Sequence, residues 1–260
     1  MHITANGITV NYELAGSGPL VTLSHSLATN LHMWDAQMAA LTTQYTVLRY
    51  DTRGHGGTEA TSGAYTLEQL ADDVHALLRA LGMDRTHWVG LSMGGMIGQT
   101  LALKYPAVLA SLVLADTTSR YPAAAQPAWL DRIKAVQEHG VGVVAEATLG
   151  RWFTEPFRQS HPLVIERIGD DIRATPVAGF VGCCHALPTI NLTHRLKDIR
   201  CPALIIVGEQ DPGTPVEMSR EIHGAMPGSE LVIIPAAAHL SNVEQPQAFN
   251  DALLAFLARV

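Results

Sequence analysis

The sequence predicts an α/β fold: a mostly parallel, eight-stranded sheet flanked by helices, with a helical segment inserted into it. Three observations predict it. Short apolar runs at residues 20–23, 109–115 and 203–207 alternate with amphipathic helical stripes, as buried parallel strands and their crossover helices do. The stretch Trp88-Val89-Gly90-Leu91-Ser92-Met93-Gly94-Gly95 runs from an apolar strand through a tight turn into a helix. Between residues 118 and 192 strand-like runs disappear, and helical patterns recur around 128–138, 143–152, 162–173 and 177–187, separated by Gly and Pro.

Residues 8–14 alternate and end at Gly16-Ser17-Gly18-Pro19, which reads as an edge strand and a turn. The buried strand at 20–23 runs into the polar loop Ser24-His25-Ser26-Leu27-Ala28-Thr29-Asn30, and residues 34–41 read as a helix with Trp34, Met38 and Leu41 on one face. A third strand at 45–50 closes with Asp51-Thr52-Arg53-Gly54-His55-Gly56-Gly57, where Asp51 and Arg53 brace the loop by ionic hydrogen bonds. Thr66 and Gln69 form a capping box, Leu67, Leu70, Val74, Leu77, Leu78 and Leu81 make the stripe of the helix that follows, and Gly82 ends it.

The strand feeding Ser92 begins near Arg85, and the helix leaving it stops before Pro106. Gly94, Gly95 and Gly98 on that helix allow it to lie close to the sheet. After the helical insertion come a strand at 202–208, the loop Glu209-Gln210-Asp211-Pro212-Gly213-Thr214-Pro215, a last strand at 230–234, and a helix from Pro246 whose inward stripe is Phe249, Leu253, Phe256 and Leu257. The core is thus expected at residues 1–117 and 193–260, and the inserted cap at 118–192.

Composition narrows the function. The chain has 260 residues, 47% of them hydrophobic and 16% charged, so a large buried core is expected and disorder is not. The net charge of −7 and the lack of any basic block argue against nucleic acid or an anionic membrane as partner. The first residues lack the basic and apolar regions of a signal peptide, and no run reaches the ~20 apolar residues of a membrane span, so a cytoplasmic location is expected. Cys183, Cys184 and Cys201 read as reduced, packed thiols, and none of the twelve histidines stands in a metal-ligand spacing. Neither a metal nor another cofactor is expected.

In Gly90-Leu91-Ser92-Met93-Gly94 the glycines flank a serine because a sharp strand-to-helix reversal crowds the backbone. Ser92 stands exposed there, at a helix N-terminus whose free N–H groups, Met93 first, can receive negative charge. Asp211 and His239 each follow a buried strand too. The carboxyl ends of parallel strands share one rim, where all three residues can meet. The chain order Ser, Asp, His is that of the α/β-hydrolases.

The whole chain resembles an α/β-hydrolase, and within that superfamily it resembles the 3-oxoadipate enol-lactonases. The resemblance is carried by residues 49–56, by 90–99, by Arg151-Trp152-Phe153-Thr154, and by His239-Leu240-Ser241-Asn242-Val243-Glu244-Gln245-Pro246. Where many relatives have His-Gly after the strand at 20–23 this chain has His25-Ser26, and Thr58 replaces a common serine. The resemblance implies a small anionic enol-lactone as substrate, opened to 3-oxoadipate in bacterial aromatic catabolism. It implies Ser92 as nucleophile, His239 as base, Asp211 as its orienting acid, and the Leu27 and Met93 amides as oxyanion donors. Arg151 is the candidate for the substrate carboxylate, beside Trp152 as an apolar wall; pairing of Arg151 with Glu155 or another cap carboxylate is the alternative. Other readings on the same scaffold are a general carboxylesterase, a carbon–carbon bond hydrolase, a cofactor-free perhydrolase, or a ligand receptor. The oligomeric state is not legible.

Overall fold

The structure, a computed structural model, describes residues 1–260. In chain order the core begins with β1 (His2–Ala5), β2 (Ile8–Gly16), β3 (Leu20–Ser24), α1 (Asp35–Leu41), β4 (Thr46–Tyr50), α2 (Leu67–Ala80), β5 (Thr86–Leu91), α3 (Met93–Lys104) and β6 (Leu109–Ala115). Five helices follow: α4 (Gln126–His139), α5 (Ala145–Trp152), α6 (Glu155–Ser160), α7 (Pro162–Ala174) and α8 (Val177–Ala186). The chain then completes the sheet with β7 (Ala203–Gly208), α9 (Val216–Ala225), β8 (Glu230–Ile234), α10 (Ser241–Glu244) and α11 (Pro246–Leu257).

The eight strands lie in the order β1-β2-β4-β3-β5-β6-β7-β8. Pairings from β4 through β8 are parallel, and β1 and β2 are antiparallel to their neighbours. The expected edge strand at 8–14 is therefore internal, because a further strand, β1, pairs with it through a turn in which Asn6 and Gly7 both take positive φ (48° and 76°). Asn-Gly is the standard hairpin signal, and the reversal it makes moves the edge outward by one strand.

β5 and β7 are buried at every residue, which is why they read as continuous apolar runs rather than alternating ones. The Thr66 hydroxyl accepts the Gln69 N–H at 3.0 Å, as the capping box requires. At the other end of α2 the Met83 N–H reaches Leu78 O and the Gly82 N–H reaches Arg79 O, closing a Schellman motif. The expected helix at 34–41 splits into a 3₁₀ turn, Leu31–Trp34, and α1. Asp51 receives the Leu31 amide at 2.7 Å there, so the loop after β4 fixes the tighter turn.

Asp51 and Arg53 do brace their loop, through different partners. Asp51 accepts from Gly57 N, Leu31 N and Asn11 Nδ2, whereas Arg53 forks onto Asp73 of α2 at 2.7 and 2.5 Å. Thr58 keeps the hydroxyl that a serine would supply, donating to Asp51 O and accepting the Asn11 amide. The chain leaves the sheet and returns to it at one place. Arg120 and Asn191 form an antiparallel bridge, Leu192 N–H donates to Ser119 O at 2.8 Å, and the Ser119 and Thr193 hydroxyls meet at 2.7 Å. Helices α4 to α8 lie between those two points. No helix is long and apolar enough to cross a membrane.

Candidate active site

The turn between β5 and α3 is forced by close packing. A Cβ at Gly90 would stand 2.1 Å from Gly94 O, and one at Gly94 would stand 2.1 Å from Ser24 O, so only glycine lets β5, α3 and β3 approach this closely. Ser92 between them takes φ 54° and ψ −110°, a conformation an L-residue adopts only under constraint. Its amide donates to Ala115 O at 2.9 Å, and its carbonyl accepts the Thr117 hydroxyl at 2.7 Å as well as the Gly95 and Met96 amides. The side chain is thereby left facing a cavity.

His239 lines the same cavity from the loop after β8. Its Nδ1 lies 2.7 Å from Asp211 Oδ2, and Asp211 is held in turn by the Gly213 amide at 2.7 Å, the Thr214 amide at 3.1 Å and the Thr214 hydroxyl at 2.7 Å. Burial pulls the carboxyl of Asp211 upward, but the charge and hydrogen bond of His239, with those of Thr214, outweigh it and hold the group below the usual range. Burial works the opposite way on His239, where the Asp211 charge and hydrogen bond prevail and raise the imidazole above its ordinary value. The parallel sheet thus brings the loops that carry Ser92, Asp211 and His239 to one rim.

A second buried carboxylate, Asp116, ends β6 beside them. It accepts the Gly208 amide at 2.7 Å and the Ser241 hydroxyl at 2.5 Å, and burial, with the Asp211 charge, pushes its pKa up to about 8.

The loop after β3 supplies the facing wall. Thr29 donates its amide and hydroxyl to Ser26 O, His25 Nδ1 lies 2.7 Å from the same oxygen, and the Thr52 amide donates to His25 Nε2 at 2.9 Å. The Ser26 hydroxyl has no intramolecular partner, and the strain of the turn falls on Ala28, at φ 61°. The Leu27 amide has no intramolecular acceptor. Met93 opens α3, so its amide is one of those without an intrahelical partner.

The helical insertion roofs the cavity, about 230 Å³ in volume, with Tyr121, Trp129, Arg132, Arg151, Trp152, Phe180 and Leu187. The Trp152 ring lies nearly parallel to that of His239, 27° apart with centroids at 6.3 Å. Arg151 reaches into this space and donates to the Thr148 hydroxyl at 3.2 Å; Glu155 instead receives Gln159. Sequence reasoning missed Arg132, whose guanidinium lies 4.7 Å over the Trp129 ring. Its signal was only the spacing of α4, which sets Trp129 and Arg132 one turn apart. Burial, and then the neighbouring charge of Arg132, lowers the Arg151 pKa, so two like charges share the roof.

A hydroxyl on a constrained turn and a carboxylate-backed imidazole, facing one cavity with free amides beside them, are the equipment of nucleophilic acyl transfer. The chain belongs to the alpha/beta hydrolase fold family, whose model matches residues 19–246, and it is a hydrolase of that family. Among curated proteins it is similar to 3-oxoadipate enol-lactonase 2 of Acinetobacter baylyi, at 37% identity over 259 residues that cover 99% of this chain and 96% of that one. The enol-lactonase structure from Burkholderia xenovorans superposes with a TM-score of 0.96 at 35% identity, covering 99% of this chain and all of that one. A putative carbamate hydrolase, RutD, of Shigella flexneri is 31% identical over 92% of this chain and 91% of its own. The resemblance read from the sequence is therefore borne out.

Proposed function

We propose that the protein is a serine hydrolase that opens the ring ester of a small anionic enol-lactone, 3-oxoadipate enol-lactone, to give 3-oxoadipate. The observation that carries this reading is the pair of guanidinium groups, Arg132 and Arg151, in a roof whose other cavity-lining side chains include Tyr121, Trp129, Trp152, Phe180 and Leu187. Two cations sharing one low-dielectric space repel each other until an anion lies between them. A carboxylate on the substrate supplies that anion. The likeness to the enol-lactonases agrees with this choice.

In this mechanism Ser92 Oγ attacks the lactone carbonyl as His239 Nε2 takes its proton, and Asp211 orients the imidazole and stabilises its cation. The amides of Leu27 and Met93 receive the oxyanion, each worth about 3 kcal/mol in comparable sites. The leaving oxygen departs as an enolate, which is easier to expel than an alkoxide, and takes the proton from the His239 imidazolium; the resulting enol relaxes to the ketone and His239 is neutral again. Water activated by His239 then releases the acyl group from Ser92. Trp152, above the imidazole, excludes bulk water from this face.

The test is a substrate panel comparing freshly generated enol-lactone, a neutral aryl acetate and a carbamate. A kcat/KM at least about 100-fold higher for the lactone is expected. Equal or greater activity on the neutral ester overturns the reading in favour of a general carboxylesterase, and carbamate turnover in favour of the RutD-like activity.

A further inference from the structure

The two sequence blocks that most narrow the resemblance, residues 151–154 and 239–246, are clasped together in space. Leu240 N–H donates to Trp152 O at 3.1 Å. Glu244, nearly fully buried in α10, receives the Thr154 amide at 3.1 Å and the Thr154 hydroxyl through Oε1, and the Ala238 amide at 2.9 Å through Oε2. One carboxylate thus joins the end of α5, where Arg151 and Trp152 face the cavity, to the residue preceding His239. A buried charge held by three donors and shared between two segments resists any sliding of one against the other.

We propose that Glu244 is a positioning residue that fixes the register between the anion-reading side chains of the roof and the imidazole of His239. The proposal rests on the reading that Arg151 holds a substrate carboxylate. With the clasp intact, the attraction of the substrate carboxylate for Arg151 is delivered as alignment of the ester with Ser92 and His239. Without it, the roof shifts while His239 stays in place, because Asp211, the Gln210 amide on Ala237 O and the Ser241 hydroxyl on Asp116 still hold its loop.

Glu244→Gln tests this with the volume unchanged. Each carboxylate oxygen accepts donors, so the amide must place its NH₂ against either Thr154 or Ala238, opening one side of the clasp. Measured with the enol-lactone and a neutral aryl acetate, E244Q is expected to lower kcat/KM about 10-fold or more on the lactone and less than about 3-fold on the acetate. In an Arg151→Met background, adding E244Q should change lactone turnover by less than about 3-fold, since coupled residues do not add. Thr154→Val, which removes one donor and leaves both amides, carries the same test with a smaller perturbation.

Equal losses on both esters, or full additivity with R151M, mean that Glu244 merely supports the fold, and they overturn the proposal. If R151M alone leaves the lactone kinetics unchanged, the carboxylate reading of the roof fails, and the proposal falls with it.

Discussion

Ser92 is held in a conformation that costs about 1–3 kcal/mol for a residue with a Cβ, and the hydrogen bonds to Ala115 and Thr117 maintain it. Glycine at this position relieves the strain and alanine does not. Ser92→Gly should therefore be more stable than Ser92→Ala by about 1 kcal/mol in urea denaturation, although on the proposed mechanism both should abolish turnover. The neighbouring imidazole sets the pH dependence. In the proposed mechanism His239 acts as a base only when neutral, and its pKa stands above the ordinary 6.5, so kcat/KM should fall as pH drops through an acid limb centred above that value. Asp211→Asn removes the charge that raises it and leaves the opposing burial. The limb should then move to lower pH while kcat falls about 10⁴-fold, measured by pH–rate profiles of both proteins.

Among the elements, α3 and α2 show two different strengths of local constraint. α3 lies so near β3 that Gly94→Ala must push apart two backbones, with the new methyl 2.1 Å from Ser24 O. A loss of about 3 kcal/mol or more is expected from the unfolding midpoint. Thr66→Ala removes only the cap of α2, whose stripe of Leu67, Leu70, Val74, Leu77 and Leu78 stays buried, and should cost about 1 kcal/mol. These two elements were legible in the sequence because their signals are local: a glycine pattern at a reversal, and a capping residue three positions before its partner. β1 was missed because four residues with one buried side chain show no alternation, and α6 and α10 because six and four residues are too short to carry a helical period.

At the scale of the whole molecule, legibility follows the distance over which a contact is made. Ser92, Asp211 and His239 could be read because a parallel sheet sends every strand's carboxyl end to one rim, which places distant residues together by topology alone. Arg132, Asp116 and Glu244 could not, because their partners are chosen by how the roof and the loops after β6, β7 and β8 pack. Asp116 gives this a measurable form. Its folded pKa is about 8 against an ordinary 3.8, so the folded protein holds a proton that the unfolded chain releases. That contribution to stability is complete below about 4 and is lost as pH rises through about 8. Asp116→Asn carries no ionisable group there, so its Tm relative to the natural chain should rise between pH 5 and pH 8.5, and a constant difference would refute the assignment.

The bridge between Arg120 and Asn191 also bears on how such a molecule can diversify. A segment that departs and rejoins through a single doorway can be exchanged for a longer, shorter or differently lined one while the strands beneath keep their register. Reaction chemistry and substrate choice are then inherited as separable modules. The one condition on a new roof is that it bring a hydroxyl and an amide to the carboxylate waiting below.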